Sequence, residues 1–432
     1  MDIYLVGGAV RDTLLGLPVT DHDWLVVGSS PEEMTAQGFV PVGRDFPVFL
    51  HPQTHEEYAL ARTERKTERG YHGFAVHASP EVTLEEDLAR RDLTINSIAI
   101  HSRYKRPDGT FDTKDLSDPY GGCKDLQARV LRHVTPAFRE DPVRILRVAR
   151  LSARLVDFSV APDTLELMRQ MVAQGEADHL VAERVWQEIS RGLMQKRPSR
   201  MLQILHDCQA LQRLLPEIAM SSTLIRILDT AADLDAPLSV RFACLAYWGS
   251  AYSGSDSNSF EADAAKTPLT QTTPTQRMAQ LCERLRVPME CRELAAVLAR
   301  ESQHVENSLS LDALGLVNLL ERCDAIRKPL RFSEMLLACE CAARTKGVAA
   351  IDGWLPGQHL QAALTGVLAL DTAAISEKAL AQGVAGIAIG QLIKDARVRV
   401  VAAIPGVTPG LASQPHGEST PPSALEPPPG MT

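Results

Sequence analysis

The sequence is poor in aromatic residues, and it lacks paired cysteine motifs, long apolar segments and a surplus of positive charge. Aromatic residues make up 5% of the 432 residues, which favours a helical body over a β-sandwich. The eight cysteines contain no C-x-x-C pair, so neither a zinc site nor a disulfide framework is expected. No apolar segment is long enough to span a bilayer and no targeting segment precedes the first motif, so the expected location is cytoplasmic.

The overall charge limits the partners of the chain without excluding nucleic acids. The formal net charge of −9 at pH 7 argues against indiscriminate binding to nucleic acid. A local basic patch can still bind phosphates, because such contacts depend on nearby charge rather than on the total. A chain of this length is too long for one ordinary core, and about two to four domains are expected.

The first motif is a glycine pair between a short strand and a helix. The apolar segment Ile3–Val6 predicts a strand, and the apolar spacing over Ala9–Leu15 predicts a helix. Gly7 and Gly8 let the backbone approach a ligand closely and direct its N–H groups outward. Arg11 lies in the first turn of the helix, where its forked donors suit a phosphate. The motif therefore predicts an anion-binding turn.

Two carboxylates follow this turn. Asp21 and Asp23 open the segment Asp21–Val27, which predicts a strand. Residues two apart in a strand point to the same face, so the two carboxylates converge. Oxygen ligands of this kind beside a phosphate-binding turn suit Mg²⁺ bound to a nucleoside triphosphate. Asp-x-Asp alone is more often a turn or a surface segment than a metal site, and the combination is what favours a metal.

Four segments together resemble the class II CCA-adding enzymes, a branch of the DNA polymerase β-type nucleotidyltransferases that also holds poly(A) polymerases. The segments are Leu5–Trp24, Arg90–Asn96 (RRDLTIN), Asp118–Tyr120 (DPY) and Glu140–Arg147 (EDPVRILR). The resemblance is strong over about residues 1–215, weaker to about residue 404 and absent beyond it. It implies an α/β (α+β) polymerase β-like nucleotidyltransferase head followed by an all-α neck, body and tail.

The resemblance also implies an activity, its substrates and its cofactor. The implied reaction adds or repairs the 3′-terminal CCA of tRNA with CTP and ATP, without a nucleic-acid template and with release of pyrophosphate. Asp21 and Asp23 are the implied catalytic residues and the ligands of Mg²⁺. The implied nucleotide-binding residues are Gly8, Arg11, Arg91, Asp141, Arg144 and Arg147, supported by Asp92, Asn96 and Glu140.

The segment Glu140–Arg147 can also be interpreted from the chemistry of the bases. Cytosine and adenine both present an amino donor beside a ring acceptor, so a carboxylate beside a guanidinium matches both edges. Guanine and uracil present the reverse order and would leave the protein groups unpaired. In the resembled family this segment selects C and A, a role that falls here on Asp141 and Arg144, with Arg147 as a further contact. The alternative is an ordinary amphipathic helix that Asp141 only caps.

Composition and periodicity divide the chain into five predicted segments. The first two are 1–135, the nucleotidyltransferase head, and 136–215, the helical neck with the nucleotide-selecting segment. The others are 216–330, a helical body, 331–404, a helical tail domain, and 405–432, a disordered Pro-rich tail.

Three polar stretches are expected to be loops. Ala61–Tyr71 is expected to be a basic loop over the triphosphate or the RNA end, although a plain solvated loop would have the same composition. His101–Leu116 is longer than the family usually carries, and we expect an inserted surface hairpin. Residues 253–275 contain little to bury, and we expect a mobile loop.

The segment Arg241–Gly249 departs from related enzymes of the gammaproteobacterial type. Many of those enzymes carry an HD phosphohydrolase unit at this position. Here Tyr247 and Trp248 stand where that unit has His and Asp. Neither side chain can replace an imidazole or a carboxylate on a divalent metal. The sequence therefore predicts a degenerate HD region without phosphohydrolase activity.

Three other functions share the same head motifs. A poly(A) polymerase has the same chemistry, but such enzymes usually carry extra amino-terminal sequence and a basic carboxy-terminal extension. Sequence alone distinguishes poorly between a full CCA-adding enzyme and a partial enzyme that adds only A or only CC. An inactive tRNA-binding protein would have no need of Asp21 and Asp23. The chain is expected to be a monomer or a weak homo-oligomer.

Overall fold

The computed structural model describes residues 1–42, 48–66, 74–106, 110–250, 273–349 and 353–407. The chain forms two compact units. One contains Met1–Ala299 with Cys341–Val348, and the other contains Arg300–Glu340 with the residues from Ala349 onward. The five predicted segments are a finer division than these two units, and their boundaries stay predictions. None of the helices in the described ranges is long and apolar enough to cross a bilayer.

The described residues of the amino-terminal part form a seven-stranded mixed sheet, two sheets of two strands each and four short α-helices. The strands are β1 (Asp2–Val6), β2 (Asp23–Val27), β3 (Val40–Val42), β4 (Val48–Leu50), β5 (Glu57–Leu60), β6 (Arg62–Lys66), β7 (Phe74–Ala78), β8 (Ala99–His101), β9 (Leu116–Ser117), β10 (Val130–Leu131) and β11 (Ser159–Val160). The helices are α1 (Gly8–Leu14), α2 (Pro31–Ala36), α3 (Leu84–Ala89) and α4 (Gly122–Ala128).

The sheet places the start of β2 beside the end of β1. Seven strands form it in the order β3-β4-β5-β2-β1-β8-β9. β1 pairs antiparallel with both β2 and β8, and β2 pairs parallel with β5. Apolar side chains that include Val6, Leu25, Leu88 and Ala99 form a buried core against it. Because Val6 pairs with Asp23, the chain leaves the sheet into the glycine turn directly beside that aspartate.

The rest of the described chain is largely helical. Its helices are α5 (Val143–Arg154), α6 (Pro162–Ala173), α7 (Ala182–Leu193), α8 (Pro198–Asp207), α9 (Leu211–Leu214), α10 (Ser222–Asp233), α11 (Leu238–Ser250), α12 (Pro274–Arg284), α13 (Met289–Glu306), α14 (Ala313–Arg322), α15 (Pro329–Thr345), α16 (Leu355–Leu368), α17 (Thr372–Ala381) and α18 (Ile387–Ala402). Helix α5 packs against α7 and α8. The predicted fold class, a mixed α/β head followed by helices, is confirmed.

Several predicted elements differ from the structure. Asp21 lies before β2 and not inside it, because the partner strand β1 ends at Val6, opposite Asp23. Within the predicted basic loop, Arg62–Lys66 is a strand that pairs antiparallel with Phe74–Ala78. Cross-strand pairing thus overrides the low β-propensity of charged residues there. Residues 67–73, which complete the predicted loop, lie outside the described ranges.

Other predicted loops are only partly described. The predicted hairpin over His101–Leu116 agrees with the antiparallel pairing of β8 and β9, and its residues 107–109 lie outside the described ranges. The predicted mobile loop extends too far, because Thr273 caps α12, which begins at Pro274. Residues 251–272, and 408–432 of the predicted tail, also lie outside the described ranges.

Candidate active site

The glycine turn between β1 and α1 brings two predicted site residues together. Gly7 has φ 72° and ψ −131°, a conformation that residues with a Cβ rarely adopt. A Cβ added to Gly7 would lie 3.1 Å from Nη1 of Arg91 and 3.4 Å from Oδ2 of Asp23. The bare backbone of the turn therefore makes room for one cationic and one anionic side chain beside it. Gly8 follows as the first residue of α1.

The two predicted metal ligands lie where β2 begins. Asp23 is the first residue of the strand, and Asp21 lies two positions before it. Both residues are exposed, and Thr20 donates a hydrogen bond to Oδ2 of Asp21 at 3.3 Å. Among the residues that the structure describes, no cluster of three or more Asp, Glu, His or Cys side chains is arranged to hold a metal. The pair offers two hard oxygen ligands, which suits an ion that takes its other ligands from substrate and water.

Arg91 is held by a buried carboxylate. Asp87 on α3 is fully buried, and its Oδ2 accepts hydrogen bonds from Nε and Nη2 of Arg91 at 3.3 and 3.1 Å. Burial alone would raise the pKa of Asp87, but the charges of Arg91 and Arg90 outweigh it and lower the pKa. Nη1 is the nitrogen of Arg91 that faces Gly7. Asp87 thus fixes one edge of the guanidinium and directs the other toward the turn.

Arg11 is buried and not exposed at the turn. Its side chain donates from Nε and Nη2 to the carboxylate of Asp12 at 2.9 and 3.0 Å, and from Nη1 to Oδ1 of Asn96 at 2.6 Å. Burial lowers the pKa of Arg11, and the neighbouring Asp12 carboxylate opposes that effect. The structure therefore shows Arg11 bound to protein side chains, and its predicted contact with a phosphate stays a prediction.

Asp92 joins the head to the first long helix. Its carboxylate is buried and accepts hydrogen bonds from Nε of Arg147 at 2.7 Å and from Nδ2 of Asn96 at 3.0 Å. Burial alone would raise the pKa of Asp92, but Arg147 and Asn96 hold it well below its usual range. Asp92 in turn raises the pKa of Arg147 above its ordinary value. Three predicted site residues are therefore in direct contact here.

The acidic end of the predicted base-selecting segment lies just before α5. Glu140 ends a 3-10 turn, and Asp141 follows it. The carboxylate of Asp141 accepts a hydrogen bond from the N–H of Val143 at 3.0 Å, as expected of a capping residue. It also accepts from both terminal nitrogens of Arg184 on α7, at 3.3 and 3.0 Å. The sequence did not predict this second partner.

Arg144 connects α5 with the side of the site that is predicted to bind phosphate. It is buried, and its terminal nitrogens donate to the carbonyl oxygens of Ala137 at 2.9 Å and Arg90 at 2.5 Å. Arg90 directly precedes Arg91, the residue that faces the glycine turn. The helix with the predicted base-selecting residues is therefore bonded to the backbone beside the predicted phosphate contact.

Sequence reasoning missed the residues that hold the others in place. Asp12 lies beside a recognised motif, but no spacing rule assigns Arg154 to it. Asp87 does carry a local signal, because its partners Arg90 and Arg91 lie three and four residues after it. Arg154 does carry a local signal, because it lies seven residues after Arg147 and shares its helix face. Arg184 has no such signal, since 43 residues separate it from Asp141. Only the folded chain reveals that pair.

Comparison with known proteins assigns the chain to a family. The profile of the poly A polymerase head domain matches residues 3–132, and that of a probable RNA and SrmB-binding site of polymerase A matches residues 157–221. The multifunctional CCA protein of Acidovorax sp. (strain JS42) is 52% identical over 97% of this chain and 100% of its own length. That of Variovorax paradoxus (strain S110) is 53% identical over 94% of this chain and 100% of its own length.

Solved structures share the fold. The Thermotoga maritima CCA-adding enzyme in complex with tRNA gives a TM-score of 0.62 at 19% identity, over 93% of this chain and 88% of that one. Complexes of a CCA-adding enzyme with ATP and with CTP give TM-scores of 0.61 and 0.60 at 19% and 18% identity, each over 93% of this chain and 86% of the other. This chain belongs to the family of multifunctional CCA proteins, the class II CCA-adding enzymes, and is a CCA tRNA nucleotidyltransferase.

Proposed function

We propose that the chain adds or repairs the whole 3′-terminal CCA of tRNA with CTP and ATP and without a nucleic-acid template. The tRNA 3′-hydroxyl attacks the α-phosphorus of the nucleotide, a new phosphodiester bond forms, and pyrophosphate leaves. One observation supports this most directly: the glycine turn has the carboxylate of Asp23 and the guanidinium of Arg91 beside it. That is the combination of charges that a metal-bound triphosphate requires. Cytoplasmic tRNA is the expected substrate.

Asp21 and Asp23 are the proposed ligands of a divalent metal, and Mg²⁺ is the ion that fits them best. Their four oxygen atoms are hard ligands, and the exposure of both residues leaves space for phosphate oxygens and water. When bound, Mg²⁺ would supply positive charge that lowers the pKa of the attacking hydroxyl and stabilises the leaving pyrophosphate. The two carboxylates would hold that charge at the start of β2, beside the turn.

The triphosphate is proposed to lie along the glycine turn. Gly8 presents backbone next to the phosphates without a side chain in the way. Arg91 offers Nη1 on the same side of Gly7 as Asp23, and it is held there by Asp87. Arg11 supports the turn from within the protein, because its donors bind Asp12 and Asn96. These side chains contribute positioning and charge, which is most of what phosphoryl transfer requires of a protein.

The base is proposed to be selected at the start of α5. Asp141 can accept from the exocyclic amine of C or A, and Arg144 can donate to the ring acceptor beside it once it exchanges one of its bonds to the carbonyl oxygens of Ala137 and Arg90. Glu140 directly precedes this pair, and Arg147 adds a contact to the nucleotide. Asp92 and Asn96 support the pocket, because they bind each other and Asp92 also binds Arg147. A G or U base would present a mismatched edge to the same groups.

We further propose that this chain has no HD phosphohydrolase activity. Tyr247 and Trp248 occupy the positions of the usual His and Asp. Their rings pack edge to face, with 4.9 Å between the ring centroids. The helix that carries them, α11, also packs Phe242 against Trp186 of α7. Its side chains therefore serve as packing. The purified protein should release no phosphate from p-nitrophenyl phosphate and open no 2′,3′-cyclic phosphate, with Mg²⁺, Ni²⁺ or Co²⁺ present.

An extension assay tests the main proposal. Three tRNA transcripts that end before CCA, after C and after CC are incubated with CTP, ATP, UTP or GTP alone and with CTP plus ATP. We expect two C residues on the first transcript with CTP alone, and a complete CCA with both nucleotides. EDTA should abolish both reactions, and Mg²⁺ should restore them.

The same assay distinguishes the other candidate functions. Long A tails with ATP alone would indicate a poly(A) polymerase. Addition of only A or only CC would indicate a partial enzyme. A protein that binds tRNA but extends none of the transcripts would be inactive, and that result would overturn the proposal.

A further inference from the structure

A continuous series of charged and amide side chains joins the middle and the carboxy-terminal end of α5 to the head. We call it the bridging network, and its members are Arg154, Asp12, Arg11, Asn96, Asp92 and Arg147. Every neighbouring pair in the series is bonded at 2.6 to 3.0 Å. Asp12 and Arg154 are members that the proposed reaction does not use.

The network starts and ends on the same face of one helix. Arg147 and Arg154 lie seven residues apart on α5, which is about two turns or roughly 10 Å along the axis. Nε of Arg147 donates to Asp92, and Nη2 of Arg154 donates to Asp12 at 2.9 Å. The head is therefore held against α5 at these two points, in addition to the bond from Arg144 to the carbonyl oxygen of Arg90.

Asp12 is the link between the glycine turn and the second point. Its carboxylate is buried and accepts from Arg11 on one side and from Arg154 on the other. Asp12 and Arg11 belong to α1, which begins at Gly8 immediately after the turn. A shift of Arg154 would therefore be transmitted to the backbone that is proposed to hold the triphosphate.

We propose that Asp12 and Arg154 are positioning residues that fix the glycine turn against α5. The phosphates are proposed to lie at that turn, and the base is proposed to lie at the start of α5. The pair therefore fixes the position of the phosphates relative to the base of the same nucleotide. This inference rests on the proposed function and deepens it. It predicts that the pair acts on the nucleotide and leaves tRNA binding alone.

Because Arg154 is partly exposed, its role in positioning the nucleotide can be distinguished from a general contribution to stability. Its side chain is one-third exposed, whereas that of its partner Asp12 is buried. Asp12 keeps the buried Arg11 as a counter-ion when Arg154 is removed. The loss of a partly exposed partner changes stability little. A large effect on the nucleotide would therefore point to positioning.

The test compares Arg154→Gln and Arg154→Lys with the wild-type chain and with Arg150→Gln. Arg150 is a matched control, because it lies on the same helix and binds a different buried carboxylate, that of Glu188, at 2.6 Å. For each protein we would measure kcat, the KM for CTP, ATP and tRNA, and the melting temperature. Equilibrium binding of CTP with Mg²⁺, followed by calorimetry, gives a reading that does not depend on turnover.

We expect Arg154→Gln to raise the KM for CTP and for ATP, and to weaken CTP binding, by about tenfold or more. The KM for tRNA should stay within about twofold, and the melting temperature should fall no further than that of Arg150→Gln, which takes a bonding partner from the buried Glu188. Arg154→Lys should recover part of the loss, since it keeps the charge but not the fork. Wild-type KM values in Arg154→Gln, equal losses in Arg150→Gln, or a change in the KM for tRNA alone would overturn the inference.

The two proposals fail in different ways. If the wild-type chain does not extend tRNA, the proposed function is wrong, and the calorimetry still compares nucleotide binding between the proteins. If the wild-type chain extends tRNA and Arg154→Gln binds CTP equally well, only the positioning role is wrong. Asp12→Asn gives a second variant, with the same direction of change expected in the KM for both nucleotides.

Discussion

Arg184 holds the carboxylate of Asp141 with two nitrogens, Nη1 at 3.3 Å from Oδ1 and Nη2 at 3.0 Å from Oδ2. The acid that is proposed to read the base is thus oriented from α7, a helix that carries none of the predicted nucleotide contacts. A bidentate arginine fixes both the position and the plane of a carboxylate. Base selection in this chain is therefore expected to depend on a residue outside the EDPVR segment.

Arg184→Gln should weaken discrimination among the four nucleotides. Without Arg184, Asp141 keeps the N–H of Val143 but loses the bidentate contact that fixes its plane. It would then accept less well from the amine of C or A, and the discrimination against UTP and GTP would decrease. Since one well-placed bidentate contact is worth about 1–3 kcal/mol of base discrimination, we expect a loss of about tenfold to a hundredfold. The measurement is kcat/KM for each nucleotide on a tRNA that lacks CCA.

Arg191→Gln, an exposed change on the same helix, is the control for Arg184→Gln. It should keep the wild-type ratio of CTP to UTP incorporation. If Arg184→Gln also keeps that ratio, then Arg184 does not orient the base-reading acid.

Replacement of either predicted metal ligand should stop transfer and leave the fold intact. Asp21→Asn and Asp23→Asn keep the size of the side chain but remove the charge that holds Mg²⁺, and we expect a loss of about a thousandfold or more in kcat. Both residues are exposed, so the melting temperature should change little. Asp395→Asn, another exposed aspartate, should be fully active. Normal extension by Asp21→Asn would show that the metal assignment is wrong.

Features that depend on neighbouring residues could be predicted from the sequence, and contacts between distant residues could not. The strand, glycine pair and helix at the amino terminus followed from local periodicity, and the structure places them within one or two residues of prediction. Asp23 and Arg91 were both predicted as site residues, and they do lie beside the same glycine. Motifs of this kind are readable because the backbone geometry and the chemistry are encoded in neighbouring positions.

The residues that position the site could not be read in the same way. Arg154 binds Asp12 across 142 positions, and Arg184 binds Asp141 across 43. The first pair forms only when α5 packs against the head, and the second only when α7 packs beside the start of α5. A single sequence contains no record of that packing. The strand Arg62–Lys66 was missed for a similar reason, since its pairing with β7, and not its composition, determines its conformation.

Gly7→Ala should impair transfer more than its effect on stability explains. The new Cβ would sit 3.1 Å from Arg91 and 3.4 Å from Asp23, and it would strain a backbone with φ 72°. Gly16→Ala is the matched control, because Gly16 has φ 66° with nothing within 4 Å of its added Cβ. Both variants should lose about 1 kcal/mol of stability from backbone strain, and only Gly7→Ala should lose activity. Equal activities would show that the crowding at Gly7 is harmless.

Asp92→Asn should change how the stability of the fold depends on pH. Because the folded pKa of Asp92 is depressed, its charge stabilises the native state above the ordinary carboxyl pKa. That contribution is lost as the pH falls from about 5 toward the depressed value. The variant should be less stable at pH 7, by about 2 kcal/mol, and its melting temperature should fall less between pH 5 and pH 3 than that of the wild-type chain. If the melting temperatures of the two proteins fall equally between pH 5 and pH 3, the pair of Asp92 with Arg147 does not provide this pH-dependent stability.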